Sequence, residues 1–206
     1  MNIIKSMEQG SAEWLALRLG KVTASRMADV LTKGRGSAPS KTAETYMIEL
    51  LAERLTGASK PFFENDAMRW GTETEPQARS MYEVNNDFVN VDEVAFVEHN
   101  EFIGISPDGL IGDDGLLEIK CPTTITQIKR ALSDNYSKDY NTQIQCQLWV
   151  TERQWCDFVS FDPRLDCESG YLQQRVFRDE AFIEDMKIKT YAFVERLNEL
   201  HERLTK

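Results

Sequence analysis

Apolar positions recur at helical spacing along much of the chain, and capping residues bound most of these stretches. The spacing predicts helices over residues 12–19, 24–31, 41–56, 123–132, 140–150 and 180–204. Ser11 is the expected N-cap of the first helix and Gly20 its stop, while Gly57 ends the third. Either Thr123 or Thr124 opens the fourth. The last helix is long and amphipathic.

The segment from Ala67 to Asn86 is helical in its later part, but Pro76 interrupts the pattern. Proline has no backbone N–H group and is therefore tolerated mainly in the first turn of a helix. Two interpretations follow. Either Thr74 is the N-cap and Glu75 the first helical residue, or a longer helix is kinked at Pro76.

Shorter apolar runs, rich in β-branched and aromatic residues, predict strands over residues 89–91, 94–97, 102–106, 116–120, 154–161 and 171–177. Helices precede, interrupt and follow these strands, so we expect a mixed α/β layer fold with one curled central sheet. The length of 206 residues favours one domain covering residues 1–206. The run TKGRGSAPS, at residues 32–40, is expected to form an exposed mobile loop.

Composition narrows the protein class. No apolar run approaches the length of a membrane span, and the N-terminus lacks a signal-peptide core, so we expect a cytoplasmic protein with no membrane partner. The four cysteines have no zinc-like spacing and are expected to be reduced. Neither a nucleophile-elbow motif nor a phosphate-binding glycine loop is present, which argues against histidine-assisted acyl transfer and against a nucleotide-cofactor fold.

The net charge of −10 argues against a protein that coats nucleic acid by charge alone. Its distribution is uneven, because residues 1–60 hold nine Lys/Arg against six Asp/Glu, a balance of +3. The remaining residues therefore carry −13. An acidic chain with a mildly basic N-terminal part can still hold a polyanion locally, especially where metal ions offset its carboxylates.

The stretch EFIGISPDGLIGDDGLLEIK, at residues 101–120, has the pattern of a hairpin with charged residues in an apolar strand. Side chains alternate along a strand, so Glu118 and Lys120 share one face. We place Asp108 at the end of the neighbouring strand, where a twisted hairpin brings it close to Glu118. Two such carboxylates and the main-chain oxygen of Ile119 suit Mg²⁺, while the lysine can orient or deprotonate a water molecule.

A simpler interpretation is a solvated hairpin face with a weak surface ion pair. The apolar residues Leu116, Leu117 and Ile119 favour a strand buried on one face and followed directly by a helix. A buried sheet tolerates charges only if they are paired or hold a metal ion.

Several sequence blocks resemble a known nuclease family. Pro107-Asp108 and Glu118-Ile119-Lys120 match the PD-(D/E)xK signature. In the order of the chain, further blocks are similar to the lambda-type phage exonucleases, also called YqaJ-like viral recombinases: EQGSAEWLALRLGKVTAS, WGTETE, SPDGL, GLLEIKCP and TQIQCQLWV. They extend from Glu8 to Asp162. The resemblance implies a restriction-endonuclease-like core, with a mixed twisted sheet flanked by helices. Residues 163–206 carry no matching motif.

The resemblance also implies an activity. Members of this family are processive 5′-to-3′ exonucleases that use two Mg²⁺ ions, for which Mn²⁺ can substitute. They act on double-stranded DNA with a 5′-phosphorylated end, release 5′-mononucleotides and leave a 3′ single-stranded overhang. They form homotrimeric rings and work beside a single-strand annealing protein in phage recombination.

The family pattern assigns roles to particular residues here. Asp108, Glu118 and the Ile119 carbonyl would be metal ligands, and Lys120 would serve the attacking water. The additional acid near the second metal falls on Glu75, whose alternative is an ordinary acid in a first helical turn. The family's active-site glutamine falls on Gln143, which shares a helix face with Gln147 and is alternatively a solvated polar residue.

The pocket for the 5′-terminal phosphate falls on Arg18 and Ser25. A guanidinium fork and a hydroxyl near a helix start suit a phosphate, although a surface ion pair and a helix cap would explain both residues equally well. Trp14 lies one turn before Arg18 and could touch DNA, but we favour a core position. Arg35, in the glycine-rich loop, is either a contact to the duplex or a solvated arginine.

Three other functions stay open at this point. A restriction-like or repair endonuclease would use the same site without an end-binding pocket. A catalytically inert DNA-binding protein of the same fold would be expected to lose one of Asp108, Glu118 and Lys120. A domain with a structural metal ion would leave Lys120 and Arg18 without a role.

Overall fold

The computed structural model of the chain describes residues 1–7, 9–34, 39–59 and 65–206. The candidate Arg35 lies outside the described residues, as do residues 36–38 of the predicted loop at residues 32–40. Within the described ranges the chain has the mixed α/β architecture that the sequence predicts, including the long C-terminal helix. None of the helices in these ranges is both long enough and apolar enough to span a membrane.

The helices of the described residues are α1 (Ala12–Arg18), α2 (Met27–Leu31), α3 (Lys41–Thr56), α4 (Asp66–Asn85), α5 (Thr124–Ala131), α6 (Asn141–Thr151) and α7 (Glu180–Thr205). The capping predictions hold at several ends. The Ser11 hydroxyl accepts a hydrogen bond from the Trp14 N–H group, Thr123 caps α5, and Gly57 ends α3 in the left-handed conformation that glycine adopts without strain.

Helix α4 settles the question that Pro76 raised. Asn65 is the N-cap, because its side chain accepts a hydrogen bond from the Met68 N–H group at 2.9 Å. The prediction of Thr74 as the cap is wrong, and the helix continues through Pro76. Burial compensates for the backbone hydrogen bond that proline removes, since Ala78 and Tyr82 of the same helix are buried against the sheet.

The strands of the described residues are β1 (Asn2–Ile4), β2 (Val22–Thr23), β3 (Val91–Asp92), β4 (Phe96–Glu98), β5 (Ile103–Ile105), β6 (Gly109–Ile111), β7 (Gly115–Lys120), β8 (Trp155–Phe161) and β9 (Tyr171–Phe177). They form two sheets where one was expected: a four-stranded sheet in the order β1-β4-β5-β2, and a five-stranded sheet in the order β3-β6-β7-β8-β9. Each contains parallel and antiparallel pairs.

The charged strand β7 lies at the centre of the five-stranded sheet. Its hairpin partner is β6, which pairs antiparallel with it from Gly109 opposite Leu117 to Ile111 opposite Gly115. The predicted partner, residues 102–106, is wrong, because that segment forms β5 in the other sheet. The two segments are separated by only three residues, so the chain passes from one sheet to the other at Asp108.

The two faces of β7 contact different parts of the core. Leu117 and Ile119 pack with Ala78 and Tyr82 of α4, whereas Leu116 belongs to the larger cluster that includes residues of α6 and α7. Glu118 alternates with Leu117 and Ile119, and it therefore points towards the α6 side. The predicted alternation of faces is confirmed.

A close approach in the four-stranded sheet generates a stability prediction. A Cβ atom on Gly104 would lie 2.1 Å from Cζ of the fully buried Phe96. Gly104→Ala should therefore lower the free energy of unfolding by about 1–3 kcal/mol, as overpacking does. Gly71→Ala is the matched control: Gly71 lies inside α4, and a Cβ atom there would meet nothing within 4 Å beyond the neighbouring backbone of its own helix, so alanine should add about 0.5–1 kcal/mol. Denaturant unfolding measures the free energy of unfolding of both variants. Equal effects of the two substitutions would contradict the close contact between Gly104 and Phe96.

Candidate active site

The carboxyl end of β7 places an acid and an amine against each other. Glu118 is fully buried and Lys120 is about a quarter exposed, with the lysine Nζ in direct contact with Oε1 of Glu118. The same Nζ donates to the main-chain oxygen of Ile119 at 2.9 Å and lies 3.9 Å from Oδ2 of Asp108. The structure therefore gathers Asp108, Glu118, Lys120 and the Ile119 carbonyl on one side of the sheet.

Asp108 lies immediately before β6 rather than at the end of a preceding hairpin strand, which corrects the predicted position. Its Oδ2 accepts a hydrogen bond from the Ile119 N–H group at 2.6 Å. This bond ties the carboxylate to the backbone of β7, one residue from both Glu118 and Lys120. The close approach of the two acids thus comes from a main-chain contact across the sheet rather than from the twist of a long hairpin.

Two glutamines of α6 hold the buried Glu118 carboxylate. Gln143 donates its side-chain N–H to Oε1 at 2.6 Å, and Gln147 donates to Oε2 at 2.7 Å. The alternative of a solvated Gln143 is wrong, because its amide is engaged in this contact. Gln145 points elsewhere and donates to the main-chain oxygen of Phe177. Gln147 was not among the predicted site residues, although its position one turn after Gln143 was the available signal.

Helix α4 contributes Glu75 and a residue that the sequence pattern does not single out, Arg79. The Arg79 guanidinium donates to Oε1 of Glu75 at 2.8 Å and to the main-chain oxygen of Asp108 at 3.1 Å. It also pairs with Glu93 at 2.7 Å. Arg79 therefore links α4 to the segment that carries Asp108, and it brings Glu75 to the edge of the site. The neighbouring Glu73 is exposed.

The concentration of carboxyl groups perturbs their protonation. Burial, reinforced by repulsion from Glu118, raises the pKa of Asp108 well above its ordinary value. Burial also raises the pKa of Glu75, against the opposing effect of Arg79. For Lys120, burial alone would lower the pKa, but the carboxylates of Glu118 and Asp108 outweigh it and raise the pKa. Lys120 is therefore a stable ammonium in this arrangement.

The donor set fits a hard divalent cation by its chemistry. Carboxylate and main-chain oxygens are the ligands that Mg²⁺ prefers, and a cation would offset the repulsion that raises the pKa of Asp108. Two buried polar atoms beside the acids have no hydrogen-bond partner in the described chain: Oε1 of Gln147, an acceptor that suits a cation or a water molecule, and Nε of Arg79, a donor that suits a water molecule or an anion. Such atoms are commonly satisfied by water or an ion. As placed, no three acidic, thiol or imidazole side chains of the described residues are grouped closely enough to ligate one ion.

A second cluster is formed by Trp14 and Arg18 of α1 and by Ser106, which lies two residues before Asp108 in the chain. The Arg18 guanidinium lies 4.1 Å from the centre of the Trp14 ring and donates to Oγ of Ser106 at 3.2 Å. The Trp14 indole donates to the same hydroxyl at 3.1 Å and to the Ala95 carbonyl at 2.9 Å. Burial lowers the pKa of Arg18, so its guanidinium is partly desolvated.

Two further residues that were predicted to contact DNA or lie near it are Trp14 and Ser25. Trp14 is only partly buried, so the expected position in the core is wrong. Ser25 is exposed in a short 3-10 turn over Ala24–Arg26, with its hydroxyl 3.4 Å from that of Thr23. Thr23 lies in β2, which pairs with β5 directly upstream of Ser106.

Sequence and structure comparisons agree on the relatives of the chain. The family of the YqaJ-like viral recombinase domain matches residues 13–154. A curated protein of Acanthamoeba polyphaga mimivirus, described as uncharacterized, is 30% identical over 176 residues, which cover 76% of this chain. The chain spans only 29% of the length of that relative.

The solved structures that resemble the chain include exonucleases. An alkaline exonuclease from Laribacter hongkongensis is 43% identical, with a TM-score of 0.86 and coverage of 95% of this chain and 96% of that one. Its complex with dAMP is 44% identical, with a TM-score of 0.85 and coverage of 94% and 96%. A phage related exonuclease from Haemophilus somnus 129PT is 19% identical, covers 89% and 96%, and has a TM-score of 0.73, which is a likeness of fold.

The raised pKa of Asp108 predicts how stability depends on pH. The folded, metal-free protein retains a proton that the unfolded chain releases near pH 4. The protonated Asp108 therefore makes its full contribution to the free energy of unfolding below about pH 4. This contribution is lost as the pH rises through the pKa that Asp108 has in the folded protein. Asp108→Asn keeps an oxygen for the Ile119 N–H group but cannot ionise. The variant should therefore become more stable than the wild type as the pH rises, by about 1–3 kcal/mol at the plateau.

Thermal unfolding in EDTA across pH 4–9 measures this difference. The matched control is Asp113→Asn, because Asp113 is exposed in the turn of the same hairpin. The thermal stability of Asp113→Asn should match that of the wild type throughout the series. A stability difference for Asp108→Asn that shrinks with rising pH would contradict the account.

Proposed function

The chain belongs to the YqaJ-like viral recombinase family, and we propose that it is a magnesium-dependent 5′-to-3′ exonuclease acting on double-stranded DNA ends. It would release 5′-mononucleotides processively and leave a 3′ single-stranded overhang. The observation that carries the proposal is the convergence of Asp108, Glu118 and Lys120 on one side of the central sheet. The 43% identity to an alkaline exonuclease, also solved with a deoxynucleoside monophosphate, supports it.

The metal site would use Asp108, Glu118 and the Ile119 carbonyl, with Glu75 as the acid nearest a second ion. Magnesium bound there would supply Lewis-acid neutralisation of charge on the scissile phosphate and on the attacking water. Mn²⁺ would substitute, since it takes similar oxygen ligands. Each of these donors has a protein contact that holds its position: Ile119 N–H for Asp108, the two glutamines for Glu118, and Arg79 for Glu75.

The chain's own residues would orient the reacting groups. The Lys120 ammonium carries three N–H donors at the mouth of the cluster, so it can hold an attacking water or a phosphate oxygen in place. Gln143 and Gln147 each hold one oxygen of Glu118, and the oxygen bonded by Gln143 is the one that contacts this amine. Arg79 fixes the main chain at Asp108. Much of the catalytic effect would come from this fixed arrangement of charges and donors.

A 5′-terminal phosphate would bind the guanidinium of Arg18. This group already lies over the Trp14 ring and is bonded to Ser106, two residues before Asp108. Little side-chain entropy is therefore lost when a phosphate binds, and arginine suits its geometry. Ser25 would contribute a hydroxyl on the exposed side, and Arg35 would contact the duplex. This pocket is the physical basis for a preference for 5′-phosphorylated ends.

A ring of three chains would account for processivity. A cyclic assembly needs two different surfaces that match each other. One candidate is the exposed apolar surface of α5 and its C-cap, formed by Ile125, Ile128 and Leu132. The other is the end of α4 and the following turn, with the exposed side chains of Met81, Val84 and Phe88. Exposed apolar groups of this kind are typical of interaction sites, and a closed ring would hold DNA despite the acidic composition.

The product implies a partner. A 3′ single-stranded overhang is the substrate for annealing with a complementary strand, so we propose that the enzyme works beside a single-strand annealing protein in phage-type recombination. This role would place it in the cytoplasm, where such DNA is exposed.

Release of mononucleotides from end-labelled linear duplex tests the activity. Wild-type protein with Mg²⁺ should digest 5′-phosphorylated ends, leave closed circular DNA intact and be inactive in EDTA. Asp108→Asn should reduce the rate by at least about a hundredfold, as loss of an essential electrostatic group does, whereas Asp113→Asn should retain it. Cleavage of the closed circle would favour an endonuclease, and equal digestion of ends without the phosphate would remove the end-binding pocket from the proposal.

The ring predicts a change in mass. Ile125 and Ile188 are both 69% exposed, but only Ile125 belongs to a proposed contact surface. Ile125→Glu should dissociate a trimer into single chains at micromolar concentration, because it places a charge in an apolar contact, whereas Ile188→Glu should leave the trimer intact. Sedimentation equilibrium measures the mass. A wild-type protein that is monomeric yet digests processively would contradict the ring.

A further inference from the structure

The same three-residue arrangement occurs twice around the five-stranded sheet. In each, an arginine pairs with a fully buried aspartate through two nitrogens, and its guanidinium carbon lies over a tryptophan ring. The Arg164 guanidinium is 4.0 Å from the centre of the Trp70 ring and bonds Asp162 at 2.7 and 2.9 Å. The second arrangement has Arg175 over Trp155 at 3.7 Å, bonded to Asp157 at 2.8 and 2.7 Å.

The two arrangements differ in where they lie. Parallel pairing of β7 and β8 sets Gly115 opposite Trp155 and Lys120 opposite Ser160. Asp162 directly follows β8, so it lies at the same end of the parallel strands as Lys120. The Arg164 guanidinium is 3.4 Å from the Pro122 carbonyl. Trp155 is the first residue of β8 and therefore lies at the opposite end of the strands. In open α/β sheets, ligands bind at the carboxyl ends of the strands.

Trp70 also belongs to the helix that supplies Glu75. The two residues are five positions apart in α4, so their Cα atoms are about 7.5 Å apart along the helix axis. The Arg164–Trp70 stack is formed by two elements, α4 and the segment after β8, and Arg164 links it to the active-site strand through the carbonyl of Pro122, two residues after Lys120. Its twin lies at the far end of the sheet.

The chemistry of the stack favours a flat, weakly charged ligand. The buried Asp162 neutralises Arg164 locally, so the pair adds little attraction for a phosphate. The guanidinium lies over the Trp70 ring, while about 47% of the arginine side chain is exposed to solvent. Arginine planes and aromatic rings are the groups on which proteins stack unpaired nucleobases, largely without regard to base identity.

We propose that the Arg164–Trp70 stack is a binding site for a nucleobase of single-stranded DNA next to the candidate active site. The ligand class is an unpaired base, read by stacking and not by its hydrogen-bonding edge. The proposal rests on the proposed function, because single-stranded DNA is what strand-selective digestion of a duplex creates. The stack would hold such a strand at the exposed face of Arg164 while chemistry takes place at Asp108 and Glu118.

Binding in EDTA, where no digestion occurs, tests the proposal with the intact protein. The probes are a labelled oligothymidylate of about twelve units and an abasic strand of equal length and charge, a length within the usual range of single-strand sites. Both carry a 5′-phosphate, so contacts to phosphate are matched. The wild type should bind the base-bearing strand about tenfold more tightly, which is within the contribution of one stacked base.

The twin arrangement supplies the matched variant. Arg164→Lys and Arg175→Lys each remove a planar guanidinium from a tryptophan and a bidentate bond from a buried aspartate, so the two should lower thermal stability similarly. Only Arg164→Lys should abolish the preference for the base-bearing strand, while both should bind the abasic strand about as tightly as the wild type does.

Three results would overturn the proposal. They are a wild type without preference for bases, an Arg164→Lys variant that keeps the preference, and an Arg175→Lys variant that loses it equally. A wild type without the preference overturns the proposal even if a variant fails to fold. Nucleotide release from duplex DNA is measured separately with Mg²⁺, so a protein that stacks bases but releases no nucleotide would refute the proposed function and leave this site standing.

Discussion

The fully buried carboxylate of Glu118 is the constraint on which the rest of the site depends. A charge at the centre of a sheet is costly to desolvate, and removing one partner of such a group typically costs about 3–5 kcal/mol. Here Lys120, Gln143 and Gln147 occupy both oxygens. These contacts fix the positions of β7 and α6 relative to each other. The fold therefore holds an acid where no surface residue could provide it with the same precision.

The other functional groups are positioned from this centre outward. Asp108 lies where the chain passes from the four-stranded to the five-stranded sheet, and its bond to the Ile119 N–H group anchors that crossing. Arg79 then ties α4 to the Asp108 carbonyl and carries Glu75 with it. Upstream, Ser106 joins the Arg18–Trp14 pair to the same segment. One short stretch, residues 106–108, thus connects the two groups of candidate residues.

The sequence predicts the parts of the site that follow local rules. Strand alternation places Glu118 and Lys120 together, capping residues set most helix ends, and motif order indicates the family. It does not predict contacts that depend on the tertiary structure. Arg79 and Gln147 look like ordinary polar helix residues until the sheet is packed against them. The strand at Gly109–Ile111 is too short to distinguish from a turn, and Pro76 suggests a helix start that the cap at Asn65 overrides.

The central claim is that these gathered oxygens hold metal ions against a phosphodiester. Diffraction from crystals soaked in Mn²⁺ tests it most directly, because the anomalous signal locates the ion without reference to activity. The account predicts a peak about 2 Å from carboxylate oxygens of Asp108 and Glu118 and from the Ile119 carbonyl, absent in crystals of Glu118→Gln. Manganese peaks found only elsewhere in the molecule, with none between these groups, would contradict it.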